Sequence, residues 1–458
     1  MVRLFHDIRA FLRYNKTMND YLQKLNLSGL EIPEILLPRG VDMQKWAVIA
    51  CDQFTQDRDY WERAKAAAAS SPSTLNLIFP EVFLADPGAP QKIADIHSNM
   101  ERYLKDGVFG EPRSGFIYIE RDTPYQKKRR GVVAAVDLEQ YDWHPQARPL
   151  IRCTEGTVAE RLPPRMDIRR GAPLELPHVL LLIDDEGDSL LPALGERAKK
   201  AAPVYNTPLM LESGGISGWL LDAEGDISFF AEKIDALRER SAARYGGGQS
   251  FLFAVGDGNH SLAAAKGIWE EYKTSHPGEM SHPCRYALVE IENIYDPAIQ
   301  FEPIHRLVFD LGFDDTLSLL SLLPDFSSRQ VKDAQELDRL CRLPAESPAA
   351  NRIGLICENR YALIETSAAG IATACLQPLL DQYAKDNPQL IDYIHDEDEL
   401  FRLSSGGAER PASGILLPPV QKSGLFETVA RFGPLPRKSF SMGHSCEKRF
   451  YLECRQLF

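Results

Sequence analysis

The stretch of the chain that decides the fold runs Phe251-Leu252-Phe253-Ala254-Val255-Gly256-Asp257-Gly258-Asn259-His260-Ser261. Its first five residues are all apolar, which is typical of a strand that is covered on both faces. Apolar residues then recur at helical spacing from Leu262 to Tyr272, with charged residues on the opposite side. The pattern therefore predicts a buried strand, a tight turn and a helix.

The turn of this segment carries four polar side chains, those of Asp257, Asn259, His260 and Ser261. Gly256 and Gly258 allow the chain to turn sharply and let a ligand approach the backbone. A helix start offers free N–H groups and a positive dipole end, and both attract anions. We therefore predict phosphate binding at the turn, with Asp257 and His260 moving protons. The alternative is that Asp257 or Ser261 caps the helix and His260 is an ordinary turn residue. The sequence contains neither the P-loop nor the Rossmann glycine motif.

Interleaved strand and helix patterns predict a mixed α+β fold for the whole chain. The clearest elements are a hairpin and a buried strand, at 116–120 with 132–138 and at 178–183. At roughly 100–200 residues per domain, the 458 residues predict two or three subdomains. We place an N-terminal α/β subdomain at 18–150, a subdomain with the turn at 151–310, and a C-terminal α/β subdomain at 311–458.

The composition excludes several classes of protein. The formal net charge is −13, which argues against proteins that coat nucleic acid or bind membranes through basic residues, because both need excess positive charge. The eight cysteines include no C-x-x-C pair, so we expect reduced thiols in a cytoplasmic protein rather than a disulfide framework. No apolar run approaches the roughly 18–20 residues of a membrane span.

The first 17 residues place apolar side chains on one helical face and basic side chains around it. Three interpretations stay open. Translation starts at Met18 and residues 1–17 are an over-called start, or the segment is an amphipathic helix that packs on the body, or it is an organelle transit peptide. A secretory signal is excluded because charges interrupt the apolar residues.

The segment Ala254–Ser261 resembles the signature of the family catalogued as domain of unknown function 1015, whose usual members carry Asp-Gly-His-His-Arg there. Further stretches resemble the same family, namely Ile35–Pro38, Trp46–Thr55, Ser71–Leu77, Arg129–Val136, Ile151–Thr157, Pro303–Arg306 and Gly433–Gly443. Because these stretches run from about residue 30 to the C-terminus, the chain is identified as a member of this family.

The family loop is in turn similar to that of the ParB-like superfamily, which includes free-serine kinases and nucleotide-hydrolysing partition proteins. The resemblance implies a ParB-like nucleotide-binding core embedded in a larger protein, with ATP or ADP and Mg²⁺ as cofactors. It implies that Asp257 is a base or a metal-side acid, and that Gly258, Asn259 and His260 contact phosphate. This chain has Ser261 where the family has Arg, so a bidentate phosphate clamp is missing and another cation is required.

Several residues are candidates for that cation and its surroundings. Arg152, Glu155 and Thr157 lie in a segment that resembles the family's Arg-Pro-His-Glu-Lys-Thr block, although Gly156 replaces the Lys. Supporting candidates are His305, Arg306, Arg437 and Lys438. Residues 431–458 hold six Lys or Arg and two Asp or Glu, a local excess of +4. The alternatives are a charged surface for this tail and a buried, hydrogen-bonded side chain for His305.

Three other stretches allow two interpretations each. The basic run Lys127–Arg130 is a solvated loop or a phosphate contact. The acidic run Asp392–Glu399 is a helix start, where acids suit the dipole, or a Mg²⁺ site. Asp52 and Gln53 follow an early strand, at the edge where α/β sheets bind ligands.

The leading hypothesis is a kinase-like phosphotransferase or other phosphate-ester enzyme, and by resemblance serine or phosphoserine is the substrate class to try first. The alternative is a non-catalytic nucleotide-binding regulatory protein. A DNA-associated ParB-like protein is a third hypothesis, which the negative charge opposes. The expected partners are a nucleotide and a small phosphorylated or hydroxylated metabolite, without nucleic acid or membrane.

Overall fold

The computed structural model describes residues 20–125, 128–245, 250–343, 351–368, 370–395, 397–405 and 411–458. The extension at 1–17 lies outside these residues. The chain divides into two compact units. The first unit comprises 1–153, 157–299 and 444–458, and the second comprises 154–156 and 300–443.

The first unit is built on a nine-stranded mixed sheet. Eight strands follow one another in the spatial order Tyr205–Pro208, Gly215–Leu221, Phe116–Asp122, Arg129–Asp137, Tyr286–Asn293, Leu180–Ile183, Phe253–Asp257 and Ile151–Cys153. The ninth, Leu30–Glu31, pairs with Arg129–Asp137. Phe253–Asp257, hereafter the site strand, runs parallel to Ile151–Cys153 and antiparallel to Leu180–Ile183. Its first three residues are buried, as the apolar run predicted.

Helices cover this sheet, and three pairs of short strands complete the unit. The helices are Met43–Trp46, Arg58–Ala68, Ala89–Lys105, Leu162–Arg169, Leu191–Ala198, Glu224–Tyr245 and Asn259–Ser275. The last, hereafter the site helix, follows the site strand after the single residue Gly258. The short pairs are Glu34–Ile35 with Arg113–Ser114, Val48–Ile49 with Phe450–Tyr451, and Leu174–Glu175 with Arg455–Gln456. Single 3₁₀ turns lie at Thr74–Leu77, Glu81–Phe83, Leu138–Gln140, Ala159–Arg161, Pro283–Arg285 and Ser445–Glu447.

The second unit has its own six-stranded sheet and its own core. The strands lie in the order Ser327–Gln330, Arg360–Thr366, Asn351–Cys357, Ala412–Leu416, His305–Phe309 and Ile391–Ile394. The helices are Phe313–Leu320, Ala334–Arg342, Ala372–Tyr383, Glu397–Ser404 and Lys422–Phe432, with a 3₁₀ turn at Pro388–Leu390. Phe301–Pro303 pairs with Phe440–Met442 in a separate two-stranded sheet.

The mixed α+β fold predicted from the sequence is confirmed, and the predicted hairpin is the antiparallel pair Phe116–Asp122 and Arg129–Asp137. The subdomain bounds at 150 and 310 stay predictions. The division into compact units places 18–153 and 157–299 together, since one sheet contains strands from both stretches.

Neither interpretation of the basic run fits Arg129 and Arg130. Both belong to a strand, and the guanidinium of Arg129 is buried against Glu292, with its Nε 2.7 Å from Oε1. Arg130 forms ion pairs with Asp188 and Asp296 at 2.9 and 3.0 Å. Acidic partners from distant parts of the chain explain why these arginines leave the loop. Lys127 lies outside the described residues.

The eight cysteines are free thiols. Across the described residues, no helix combines the length and apolar character that a membrane span requires.

Candidate functional site

The site strand and the site helix meet at Gly258, which precedes the helix with a φ of +79°. A side chain at this position would be strained, and its Cβ would lie 3.1 Å from Cα of Val179. The first turn of the helix receives no side-chain cap from the described residues. The Asp257 carboxylate instead accepts from the Gly258 N–H at 3.1 Å, and the Ser261 hydroxyl pairs with His178. The capping alternative therefore fails, and the helix start keeps N–H groups for an anion.

A lysine from the C-terminal segment meets Asp257. Nζ of Lys448 lies 3.4 Å from Oδ2 of Asp257. The Lys448 side chain is only 7% exposed, and that of Asp257 is 22% exposed. A cation so close to the helix start can neutralise the charge of a phosphate that binds there.

A buried ion network holds the backbone that carries Lys448. Nη1 of Arg121 donates to the Lys448 carbonyl oxygen at 3.1 Å, and Nη1 of Arg129 donates to the Glu447 carbonyl oxygen at 3.4 Å. Both guanidinium groups also bind the Glu292 carboxylate, whose Oε1 lies 3.2 Å from Arg121 Nη2. Since all three charged side chains are buried, they fix the position of the segment. Arg129 therefore serves the site indirectly, through the lysine.

Asn259 opens the site helix with an unsatisfied atom. Its amide oxygen is buried and has no hydrogen-bond partner among the described residues. A buried polar atom without a partner costs about 1–3 kcal/mol. A ligand at the turn would remove that cost, either as a donor to the oxygen or as an acceptor for the rotated amide.

His260 is held by backbone. The Val158 N–H donates to its Nε2 at 3.2 Å. Because Nε2 then acts as an acceptor, the neutral ring carries its proton on Nδ1. The imidazole thus has one nitrogen committed to the backbone beside Thr157, whose hydroxyl oxygen is buried and has no hydrogen-bond partner among the described residues.

Ser261 belongs to a hydrogen-bonded chain that runs away from the turn. Its Oγ lies 2.6 Å from Nε2 of His178, and Nδ1 of His178 lies 2.8 Å from the Tyr451 hydroxyl. Asp52, a weaker candidate from the sequence, has its Oδ2 3.9 Å from the same Nε2. Gln53 donates to the Asp52 carboxylate at 3.0 Å.

Arg152 lies on the strand beside the site strand, in register with Ala254. Its guanidinium is stacked 4.6 Å from the Phe251 ring, and its Nε donates to the Pro149 carbonyl oxygen at 3.0 Å. Burial lowers the pKa of Arg152 to about 10, helped by Arg148. These contacts lie near the beginning of the site strand, whereas Asp257 is at its end. The cation beside the turn is therefore Lys448 rather than Arg152.

Glu155 belongs to the second unit. Its carboxylate accepts from the N–H groups of Ser439 and Lys438 at 3.0 and 3.2 Å. Burial raises the pKa of Glu155 to about 7, and these amides oppose the rise. The amides of Lys438 and Ser439 belong to the loop that contains the predicted candidates Arg437 and Lys438. The side chains of both candidates are exposed.

His305 and Arg306 lie on one strand of the second unit and are buried. Nδ1 of His305 accepts from the Leu417 N–H at 3.1 Å. This agrees with the alternative interpretation of His305 as a buried, hydrogen-bonded side chain. Nε of Arg306 donates to Oε1 of Gln377 at 2.8 Å, and its guanidinium stacks 4.6 Å from the Tyr393 ring. Burial lowers the pKa of Arg306 to about 10.

The acidic run begins with the strand Ile391–Ile394 and ends in the first turn of the helix Glu397–Ser404. Glu397, Asp398 and Glu399 thus occupy a helix start, as one interpretation predicted, while Asp396 lies outside the described residues. No group of three or more His, Cys, Asp or Glu within the described ranges could hold a metal ion.

Sequence reasoning missed Lys448 and His178. The +4 charge of residues 431–458 was the available signal for Lys448, but it pointed equally to Arg437 and Lys438. His178 gave no signal, because its only mark is its place just before a buried strand.

Comparison with protein-family models matches residues 36–383 to the family described as "Protein of unknown function (DUF1015)". The chain belongs to this family, as the sequence predicted. No curated protein matched the chain.

Among solved structures, a free serine kinase in complex with AMP has a TM-score of 0.37 and 10% identity, covering 73% of this chain and 95% of its own. A conserved hypothetical protein from Pyrococcus furiosus has a TM-score of 0.33 and 11% identity, covering 70% and 90%. SbnI with a C-terminal truncation from Staphylococcus aureus has a TM-score of 0.34 and 11% identity, covering 71% and 86%. The likeness is slight, and the bound nucleotide is a property of the kinase complex alone.

Proposed function

We propose that the turn at Gly256–Ser261 binds the phosphate of a nucleotide or a small phosphorylated metabolite, and that the protein is a phosphotransferase or other phosphate-ester enzyme. The observation that carries the proposal is the uncapped start of the site helix beside the ion pair of the partly exposed Asp257 and the buried Lys448. Serine and phosphoserine are the substrates to test first, on the resemblance of the loop.

The phosphate would be held by backbone and by one lysine. The N–H groups at the helix start point along the helix axis, where the dipole favours an anion. Lys448 supplies the positive charge that the family's Arg supplies in usual members, since Ser261 cannot. The amide of Asn259, whose oxygen has no partner in the described residues, would complete the contacts.

Asp257 is the group that would move the proton. As phosphate draws Lys448 toward itself, the Asp257 carboxylate becomes free to accept the proton of the acceptor hydroxyl. That oxygen then bonds to phosphorus, the bond from phosphorus to the leaving oxygen breaks, and the leaving phosphate carries the displaced charge. Lys448 and the helix amides would stabilise the charge on the transferred group.

The turn supplies one of the oxygen ligands that Mg²⁺ bound with a nucleotide would need. Mg²⁺ is usually bound by one or two carboxylates together with substrate phosphates, and Asp257 offers one carboxylate at the turn. ATP or ADP would bring the remaining oxygen ligands. Mg²⁺ would neutralise phosphate charge, and this chain's own residues would orient the phosphate and hold the proton.

Turnover and binding should be measured together. Full-length protein is incubated with ATP and serine, and with ADP and phosphoserine, and products are separated by mass spectrometry. Asp257→Asn should abolish turnover while nucleotide binding, measured by calorimetry, persists. Unchanged turnover in that variant would remove Asp257 from the mechanism, whereas loss of nucleotide binding in Lys448→Met tests the phosphate site by itself.

A second candidate function is a nucleotide-binding regulator without turnover. The ion pair between Asp257 and Lys448 favours it, because a carboxylate held by a lysine is not available to take the proton of an acceptor hydroxyl. Saturable binding of ADP to the wild-type protein, without product from any tested acceptor, would support the regulator over the enzyme.

A further inference from the structure

A cavity of about 130 Å³ lies in the first unit beside the site helix. Its walls are mostly aliphatic, including Leu77, Leu84, Met100, Ile168 and Ala264. Ser261, His178, Tyr451 and Cys51 also line it and give it one polar end. An apolar cavity with a few convergent polar groups is the usual form of a small-molecule site.

The hydrogen-bonded chain at the polar end determines what Ser261 offers to a ligand. The Cys51 N–H donates to the Tyr451 hydroxyl oxygen at 3.2 Å, so the hydroxyl hydrogen of Tyr451 needs an acceptor. Nδ1 of His178, at 2.8 Å, is a stronger acceptor than the Cys51 sulfur. With Nδ1 accepting, Nε2–H of His178 donates to Ser261 Oγ. The hydroxyl hydrogen of Ser261 then remains to donate into the cavity.

This arrangement also decides between binding and nucleophilic chemistry at Ser261. A serine nucleophile needs an imidazole nitrogen that can take its proton. Nε2 of His178 already carries a hydrogen when Tyr451 donates to Nδ1. The serine is therefore a donor to an acceptor group on a ligand rather than an activated nucleophile.

The position of Ser261 favours a negatively charged acceptor. Ser261 lies in the first turn of the site helix, where the dipole stabilises anions. Arg165 lines the same cavity, but its charge is already neutralised by Glu81. The two acids of the lining are already paired, Glu81 with Arg165, and Glu175 with Arg169 and Arg455.

The volume limits the size of the ligand. An apolar cavity of about 150 Å³ holds the six carbon atoms of benzene, so the present cavity has room for an alkyl chain of about four carbon atoms, with the carboxylate at the polar end. We infer that the first unit binds a short-chain aliphatic monocarboxylate, with its alkyl chain in this cavity and its carboxylate hydrogen bonded to Ser261. A ligand of this class differs from the phosphorylated molecule proposed for the turn.

Calorimetric titration of the full-length chain with pentanoate, in the absence of nucleotide, tests the inference. We expect saturable binding, with pentan-1-amine at least about tenfold weaker because its charge is reversed. Ser261→Ala should weaken pentanoate by about tenfold or more, the cost of a hydrogen bond to a charged group. Ala264→Leu should abolish binding by filling the cavity.

Asp257→Asn is the matched control, since it removes the proposed proton acceptor and, by removing a negative charge from the same helix start, should not weaken pentanoate binding. Failure of the phosphate proposal is therefore separate from failure of this one. No saturable binding of pentanoate, equal binding of pentan-1-amine, or unchanged affinity in Ser261→Ala would each overturn the inference. If Ala264→Leu fails to fold, the comparison of Ser261→Ala with the amine decides.

Discussion

Replacing the two partners of the ion pair at the turn should change nucleotide affinity in opposite directions. Lys448→Met removes the cation and keeps the length of the side chain. Asp257→Asn removes the carboxylate that competes with phosphate for that cation. If the turn binds phosphate, the first change should weaken binding of ADP and the second should strengthen it.

The size of both effects follows from the geometry. At 3.4 Å between Nζ and Oδ2, and with an effective dielectric constant of about 20, the attraction between the two unit charges is about 5 kcal/mol before desolvation is counted. A bound phosphate has to compete with that attraction. A hydrogen bond to a charged group contributes about 1.5–3 kcal/mol net, so Lys448→Met should weaken ADP by about 10- to 150-fold. Asp257→Asn should tighten ADP about tenfold, because Lys448 no longer has to leave a partner.

Isothermal titration with ADP, at two salt concentrations, measures both variants. Lys273→Met provides the matched control, since Lys273 lies near the far end of the site helix and pairs with Glu139 and Glu270. That variant loses the same charge and should bind ADP like the wild type. Equal loss of affinity in Lys273→Met would show a general charge effect. Weaker binding in Asp257→Asn would refute competition between the carboxylate and phosphate.

Three further predictions concern the scaffold of the site. Gly258→Ala should lower the free energy of unfolding of the first unit by about 1–2 kcal/mol, because φ is +79° there, and should also weaken the binding of ADP. Thermal unfolding measures the first effect and calorimetry the second, and an unchanged melting temperature would contradict the strain. Glu292→Gln should lower the free energy of unfolding of the first unit by about 3–5 kcal/mol, measured by denaturant unfolding, since it leaves Arg121 and Arg129 buried with less opposing charge. The exposed pair of Glu427 and Arg431 supplies the control, because Glu427→Gln should cost under about 1 kcal/mol. Burial raises the pKa of Glu155 from an ordinary value of 4.5 to about 7. The folded chain therefore holds an extra proton between these values, and its stability falls as the pH rises through that window. The melting temperature of the wild type should fall relative to that of Glu155→Gln between pH 4.5 and 7, and parallel plots of melting temperature against pH would exclude a raised pKa.

The strand, turn and helix were predictable because their signal is local. Five apolar residues, two glycines and a helical repeat lie within one short stretch, and each indicates one element without reference to the rest of the chain. Gly258 shows the limit of such reasoning. Its sequence context predicts a turn, but the close approach of Val179, which excludes a side chain, depends on the neighbouring strand Leu180–Ile183, which is distant in the sequence.

The cation of the site was not predictable in the same way. Lys448 reaches Asp257 only because the C-terminal segment returns to the first unit and is held there by Arg121 and Arg129. From the sequence, Arg129 belonged to a basic run with no visible partner. Its buried ion-pair partner, Glu292, lies on a strand more than 150 residues later in the sequence. Ion pairs between strands that are neighbours in the sheet but distant in the sequence leave no periodic pattern. A charged run in a sequence therefore does not by itself indicate exposure.

The residue at position 261 connects the two proposed ligands. An arginine there would extend over phosphate and supply a bidentate clamp. Serine is too short for that role, so the positive charge at the turn comes from Lys448 on a different segment. The short side chain instead lies 2.6 Å from His178 and lines an aliphatic cavity. If both proposals hold, Lys448 and the helix amides would bind a phosphate, and Ser261 of the same helix start would bind a carboxylate. Because both anions would use the same positive helix end, occupation of one site should oppose occupation of the other, and the two ligands would be coupled through the charge of a single turn.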